Sequence, residues 1–473
     1  MSAYTLDIDA LREGATPSRR EMALTVLALS APAILAELST TLMQYIDAGM
    51  VGSLGAHATA SIGLVESTIW LMDGLAMSAA AGFTVQVAQL VGAGRDTDAR
   101  DVFRQAIVVL GAFGALLATL GVAVSGHLPI WLGGDPSLYQ DASDYFCVCS
   151  LALVPLTMAR LGTGMLQCSG DMRTPSILNV LSCVLNVSVN AVLIHAGPTL
   201  HMGPLELPIP GMGLGIRGAA FGTLAAQSIT AVLMLAFACL RSERLAFRER
   251  GRWLPAKSTL VPAWRMSWPM LVERAFMSSA YIAVTAIVAP LGVTSVASHS
   301  LAITVEAVCY MPGLGMESAA TTLVGQAVGA RRTDIAQSFA RLSTALGMVV
   351  MSMSGLLMFA FAPQVLGMLT PDVAVQELGT TILRIEAFAE PFYAASMVAA
   401  GALRGAGDTL LPSIFTLFSN WCVRIPALVV VAPRFGLVGC WVVMALELCL
   451  RGILFLVRLL RGRWLRGAYA GET

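Results

Sequence analysis

The stretch GDMRTP at residues 170–175 returns as GDTLLP at residues 407–412, so that the offset in residue number is 237. The same offset relates further pairs, which are Pro32 and Pro269, Leu54-Gly55 and Leu291-Gly292, Val91-Gly92 and Val328-Gly329, and Arg104 and Arg341. Chance does not hold one register over most of a half, and such self-similarity indicates repeated structural units. The chain is therefore predicted to consist of two homologous halves.

The composition places the chain in a lipid bilayer. Of its 473 residues 56% are hydrophobic and only 12% are charged, and the mean hydropathy is +0.75. Soluble domains carry about 25% charged residues. Lysines and arginines balance aspartates and glutamates at 29 each, so no net charge would recruit nucleic acid.

Twelve apolar segments are long enough to cross the bilayer, which takes about 20 helical residues. They lie at 22–46, 61–81, 103–124, 145–165, 175–195, 218–240, 260–290, 297–323, 339–361, 381–402, 412–431 and 437–459. We predict an all-α integral membrane protein with two six-helix bundles. Because each copy has six spans, both enter the membrane the same way round, which relates them by a pseudo-two-fold axis along the membrane normal.

Basic residues cluster in alternate connections, and this side is predicted to be the cytoplasm because translocating lysine and arginine is disfavoured. The predicted order is a cytoplasmic segment (1–21), an N-terminal lobe (22–240), a cytoplasmic basic linker (241–259), a C-terminal lobe (260–460) and a cytoplasmic tail (461–473). The linker's arginines would hold it at an anionic leaflet. A bacterial-type inner membrane, crossed many times, is the expected location.

Several catalytic and nucleotide motifs fail in context. GAGD at 405–408 lacks the second aspartate of a membrane protease, Lys257 follows no Walker glycine, and the five histidines form no HExxH helix. Nine scattered cysteines suggest neither disulfides nor a zinc site. We therefore expect no enzyme activity, no cofactor and no nucleotide, and an ion gradient as the energy source. Asp171 and Asp408 are instead expected to cap helix starts.

Several motifs in combination resemble the multidrug and toxic compound extrusion (MATE) family. They are IDAGMVGSLG at 46–55, VGAGR at 91–95, VGARR at 328–332, GDMRTP at 170–175 and RGAGDTLLP at 404–412. The resemblance covers nearly the whole chain. It implies a secondary transporter that exports small organic, often cationic, compounds in exchange for sodium ions or protons while alternating between outward-open and inward-open states.

Asp47 closes the first span without a basic residue nearby in sequence. An ionisable group in hydrocarbon is costly and usually faces a cavity or a partner. Asp47 would therefore bind a cation, hold a proton, or lie shallow enough for hydration. Asn186 and Asn190 in the fifth span are four residues apart and share one helix face. Their oxygens and that of Asp47 would begin a sodium shell, unless the asparagines only join helices.

In the family, a first-span acid and a polar pair of the fifth span build the N-terminal cation site with a sixth-span threonine. The resemblance assigns these roles to Asp47, Asn186, Asn190 and Thr223. The repeat mates of the first three are Val284, Val423 and Ala427, so the site is expected in one half only. Some relatives have aspartate at the position of Asn190, which leaves sodium and proton both open.

Four further acids are candidates for a substrate cavity, namely Glu37, Glu66, Asp73 and Glu273. Glu66 and Asp73 are seven residues apart, so both face one side of the second span and would attract a cationic substrate, or else pair with neighbouring helices. In the C-terminal half, acids such as Glu386 are expected to pair internally, with Arg384 compensating its charge.

The working hypothesis is an efflux antiporter in which sodium or a proton reaches Asp47, repacks the region of Pro32 as a hinge, and favours substrate release. A flippase for lipid-linked saccharides or lipids, from the same superfamily, is the alternative. The bilayer and small organic molecules, mainly cations, are the expected partners.

Overall fold

The computed structural model describes residues 8–194, 199–202, 205–208 and 211–466. Parts of the predicted terminal segments, 1–7 and 467–473, lie outside the described residues. The helices are α1 Ile8–Arg12, α2 Arg19–Gly52, α3 Ala56–Gly92, α4 Asp96–Val124, α5 Leu128–Trp131, α6 Tyr139–Leu151, α7 Leu153–Cys168, α8 Arg173–Ile194, α9 Gly215–Ala236, α10 Lys257–Val288, α11 Val293–Gly329, α12 Thr333–Leu369, α13 Val373–Ala387, α14 Glu390–Gly405, α15 Leu410–Phe418 and α16 Ile425–Arg461.

The predicted spans correspond to these helices. Eight segments in the described chain are long and apolar enough to cross a membrane, and a ninth span is formed by α6 with α7. Three more spans complete the twelve. They are α11, the pair formed by α13 and α14, and the additional span that results because the segment Leu410–Arg461 divides into two. That segment leaves helical geometry at Gly436, with φ 61° and ψ −154°. The prediction of an all-α protein with twelve spans in two bundles is confirmed.

The repeat extends to individual backbone hydrogen bonds. At the end of α3 the amides of Gly94 and Arg95 donate to the carbonyls of Val91 and Leu90, a Schellman motif. The same bonds close α11, from Arg331 to Val328 and from Arg332 to Ala327. Gly94 has φ 71° and Arg331 has φ 59°. Both copies therefore form the same turn, although only the first has the glycine that this conformation favours.

The two GD turns differ in the role of their aspartate. Asp171 accepts hydrogen bonds from the amides of Arg173 and Thr174 at 3.1 and 3.0 Å, so it caps α8 as predicted. The cap prediction is wrong for Asp408, because its carboxylate accepts from Arg458 at 2.6 and 3.1 Å. The counterpart of Arg458 in the first half is Phe221, which leaves Asp171 free of that ion pair.

Three spans and one connection depart from the predicted pattern. The fourth span bends by 41° between α6 and α7, and the tenth is interrupted at Phe388 and Ala389, where the predictions had single helices. Residues 419–424 form a π-helical turn within the eleventh span. The connection between α8 and α9 contains an unpredicted antiparallel hairpin, β1 Thr199–Met202 with β2 Leu205–Pro208.

Packing divides the chain into two compact units. The first contains Met1–Leu38, Ala88–Arg95 and Arg265–Thr473, and the second contains Ser39–Val87 and Asp96–Trp264. A core in the first unit is built around Trp441 and Leu428, whose side chains are fully buried. A core in the second surrounds Phe146 and Val65.

The predicted basic linker is fastened to the start of α4 within the second unit. Arg104 donates to the carbonyl of Glu249 and stacks over Phe247, with its guanidinium carbon 4.6 Å from the ring centre. The amide of Ala256 donates to Gln105 at 2.9 Å. These bonds give the connection between α9 and α10 a defined path.

Candidate cation site

Parts of three helices that lie in the second unit bring the predicted cation-site residues together. Asn186 and Asn190 project from one face of α8 and are 1% and 0% exposed. Asp47 lies on α2 and Thr223 on α9, and both are partly buried. Residues that are 143 positions apart in the chain, Asp47 and Asn190, are in direct contact.

Asn190 holds the carboxylate of Asp47. Its amide nitrogen donates to Asp47 Oδ1 at 2.9 Å and to Asn186 Oδ1 at 3.1 Å. In one orientation the amide of Asn186 is 3.4 Å from Thr223 Oγ1. With its oxygen and nitrogen exchanged, that amide donates to Asp47 at 2.6 and 3.1 Å, which satisfies its polar atoms better. Both asparagines thus lie within hydrogen-bond distance of one carboxylate.

Thr223 adds a hydroxyl group beside Asn186. Its hydroxyl donates to the carbonyl of Ala219 at 3.1 Å, one turn earlier on α9. The oxygen retains acceptor capacity, which is where the amide of Asn186 approaches in its first orientation.

The carbonyl oxygen of Asn190 is buried without a hydrogen-bond partner in the described residues, and it lies against Gly222. A Cβ at Gly222 would overlap that oxygen and would lie 2.8 Å from Asn190 Cγ. Gly222 was not among the predicted site residues, although it directly precedes Thr223. Only the absence of a side chain there lets α9 approach the asparagine.

The donor set is compatible with a hard cation. A carboxylate, two amide oxygens and a hydroxyl are the ligand types that such ions prefer. In the present arrangement Asn190 turns its nitrogen toward Asp47. Sodium would require an amide rotation that exchanges nitrogen for oxygen, whereas a proton would not. Among the described residues, no three histidine, cysteine, aspartate or glutamate side chains could together hold a metal ion.

The two predicted acids of α3 have different surroundings. Asp73 forms an ion pair with Arg160 of α7, at 2.9 and 3.2 Å. Glu66 is exposed, and the described residues give it no hydrogen bond or ion pair. The charge of Asp73 is therefore compensated, and that of Glu66 is not.

Glu273 belongs to a charged network in the first unit. Its carboxylate accepts from Arg404 at 3.1 and 3.3 Å and from Ser413 at 2.7 Å. Arg404 also donates to Glu317 at 2.8 Å. The pairing of Glu273 with Arg404, and of Arg404 with Glu317, was not predicted, since both residues lie far from Glu273 along the chain. The network joins α10, α11, α14 and α15.

The two remaining predictions concern α2. Glu37 is partly buried in the first unit, whereas Asp47 on the same helix belongs to the second. Pro32 lies inside the continuous helix α2. Its role as a hinge stays a prediction.

A second group of buried acids lies in the C-terminal half. Glu447 accepts hydrogen bonds from Ser419 and Arg424. Glu386 and Glu390 are each 1% exposed, and their carboxylate oxygens have no hydrogen-bond partner in the described residues. The expectation that Arg384 compensates Glu386 is wrong, because Arg384 donates to the carbonyl of Phe359 and stacks on its ring.

Curated relatives match the chain over most of its length. "Probable multidrug resistance protein NorM" of Thermotoga maritima is 26% identical over 441 residues, which are 93% of this chain and 92% of that protein. "Multidrug resistance protein PmpM" of Pseudomonas aeruginosa is 27% identical over 407 residues, 85% and 82% of the two chains.

Solved structures share the fold. A MOP superfamily transporter from Pyrococcus furiosus superposes with a TM-score of 0.86 at 19% identity and covers 98% of this chain and 99% of its own. The Vibrio cholerae MATE transporter VcmN in its bent form gives 0.84 at 17% identity, with 96% and 99% covered.

The family model described as MatE matches residues 32–192 and 269–430. The second matched segment begins 237 residues after the first, and this distance equals the offset of the internal repeat. The chain therefore belongs to the MatE family of multi-pass membrane transporters.

Proposed function

We propose that this chain is a secondary active antiporter that exports small organic compounds, mainly amphipathic cations, in exchange for Na⁺ or H⁺ by alternating access. The observation that carries the proposal is the carboxylate of Asp47, which lies in apolar sequence beside two buried asparagines. Relatives named as multidrug resistance proteins support the cargo class. Substrate enters from the cytoplasmic side of a bacterial-type inner membrane, and both termini lie on that side.

The site accommodates either ion by a different movement. Sodium binding rotates the amide of Asn190, so that its unpartnered oxygen joins the carboxylate of Asp47. Protonation of Asp47 instead leaves the amides in place and removes the charge that they stabilise. In either case the change occurs at the contact of α2 with α8. It repacks this end of α2, the helix that also contains Pro32.

An ion gradient supplies enough energy for this cycle. One charge that crosses the membrane gains about 2.3 kcal/mol per 100 mV, before any concentration difference is added. No nucleotide is required.

The test is efflux of a fluorescent organic cation from proteoliposomes under an imposed sodium or pH gradient. Wild type is compared with Asp47→Asn, and with Glu377→Gln as the control for loss of an acid, because Glu377 is exposed outside the predicted spans. We expect one gradient to drive efflux, Asp47→Asn to abolish it and the control to retain it.

Two results would contradict the proposal. If Asp47→Asn transports like wild type, the cation site lies elsewhere. If neither gradient moves any organic cation, antiport is wrong, and scrambling of lipid-linked saccharides in the same vesicles becomes the next assay.

A further inference from the structure

The repeated motifs VGAGR and VGARR mark a reciprocal contact in the first unit. A Cβ on Gly92 of α3 would overlap the carbonyl oxygen of Gln326 and lie 2.7 Å from its Cα. A Cβ on Gly329 of α11 would overlap the carbonyl oxygen of Gln89 and lie 2.7 Å from its carbonyl carbon. Gln89 and Gln326 are themselves equivalent positions of the internal repeat. Each helix thus places its glycine against the equivalent backbone of the other.

The end of α3 is closely enclosed at this crossing. One turn before Gly92, the side chain of Ala88 lies 2.9 Å from the position of a Cβ on Gly325. Gln89 donates to the carbonyl of Gly405 on α14 at 3.1 Å. Val91 is fully buried. The end of α3 therefore packs against both α11 and α14.

The N-terminal segment bridges the two turns that follow the crossing. Arg332, after α11, donates to the carbonyls of Leu11 and Ala15 at 3.2 and 3.0 Å. The guanidinium of Arg12 lies over Gly94, after α3, with one nitrogen 2.7 Å from the position of a Cβ there. Leu11 is buried. Helix α1 and the residues after it thus fasten the same two connections.

We infer that the crossing of α3 and α11 is the closure of the transport pathway on the side of the basic connections, and that Gly92 and Gly329 are positioning residues of the cycle. The inference rests on the proposed alternating access. Entry of substrate from that side requires α3 to part from α11 here. The backbones form the closed state only while both positions lack a side chain, and the N-terminal segment holds it.

The test compares Gly92→Ala and Gly329→Ala with Gly63→Ala. Gly63 lies on the same helix as Gly92, but a Cβ there meets nothing within 4 Å. Amide hydrogen exchange is measured in nanodiscs without substrate, together with dye binding and efflux. Both crossing variants should bind dye, exchange about tenfold faster or more at residues 86–95 and 323–332, and lose most efflux. The control should match wild type in all three measurements.

A double variant separates backbone from side-chain contact. The group that obstructs a Cβ at Gly92 is a main-chain carbonyl, so adding Gln326→Ala to Gly92→Ala should restore neither exchange protection nor efflux. Recovery in the double variant would overturn the inference. So would wild-type exchange in both single variants, or faster exchange with undiminished efflux.

Failure of the proposed antiport is distinguishable from failure of this inference. Wild-type protein that moves no dye under either gradient refutes antiport. Hydrogen exchange at the crossing needs no transport and still decides whether Gly92 and Gly329 maintain a closed contact.

Discussion

Gly222→Ala should change the ion affinity of the candidate cation site without removing any of its polar groups. The added methyl group overlaps the carbonyl oxygen of Asn190. The close approach of α9 to α8 continues one turn earlier, where a Cβ on Gly218 would lie 2.6 Å from the carbonyl oxygen of Leu193. Either the side chain of Asn190 moves or α9 shifts along this contact, and both changes disturb the bond from Asn190 to Asp47.

The cost follows from the hydrogen bonds that Asn190 makes. Its bond to the charged carboxylate of Asp47 contributes about 1.5 to 3 kcal/mol and stabilises the ion-free site. Losing about 3 kcal/mol therefore makes a proton bind up to roughly a hundredfold more tightly, whereas sodium loses the oxygen of Asn190 as a ligand and binds more weakly. Overpacking adds about 1 to 3 kcal/mol to the loss of overall stability.

The assay is the ion concentration that gives half-maximal dye efflux in proteoliposomes, with thermal unfolding measured in parallel. Gly49→Ala is the matched control, because Gly49 lies two residues after Asp47 and a Cβ there meets nothing within 4 Å. Wild-type ion dependence in Gly222→Ala would refute the role of Asn190. An equal effect in Gly49→Ala would show that the response is not specific to the site.

Three further predictions concern a polar residue of the candidate site and two ion pairs. Asn190→Asp adds a second carboxylate beside Asp47, so a sodium-coupled transporter should reach half-maximal efflux at about a tenfold lower sodium concentration; an unchanged or higher concentration would contradict sodium coupling at this site. Arg404→Gln leaves Glu273 without its charged partner and should destabilise the protein by about 3 to 5 kcal/mol, which Glu273→Gln in the same chain partly restores; thermal unfolding in detergent checks both. The hydrogen bond from Arg332 holds the pKa of Asp334 below its ordinary value. The stabilisation that this hydrogen bond provides is therefore complete above the ordinary aspartate pKa, and it is lost as pH falls through the lowered pKa of Asp334. We expect residues 8–15 to open faster in acid, which amide hydrogen exchange measures.

The features that were predicted correctly depend on local pattern. A span of about 20 apolar residues matches the bilayer wherever it occurs. The offset of 237 can be found by comparing the chain with itself. The spacing of Asn186 and Asn190 places both on one face of any α-helix. The family motifs then related these two residues to Asp47, and the structure brings all three into contact.

The errors and omissions arise where a residue's role depends on a distant partner. Asp408 has the same local sequence signal as Asp171, yet Arg458, fifty residues later, takes its carboxylate. Arg384 stacks on Phe359 instead of compensating Glu386. Nothing in the local sequence ranks these partners.

The sequence alone determined the membrane class, the two-fold repeat and the number of spans, because hydrophobic length and helical periodicity are properties of short segments. The resemblance of its motifs to a known family added the residues of the candidate cation site. Only the tertiary structure decided that Gly222 must lack a side chain, that Gly92 and Gly329 meet the backbone of the other repeat copy, and that Glu273 is paired with Arg404. These depend on the distance between helix surfaces, which is set by how whole helices pack and not by any one segment.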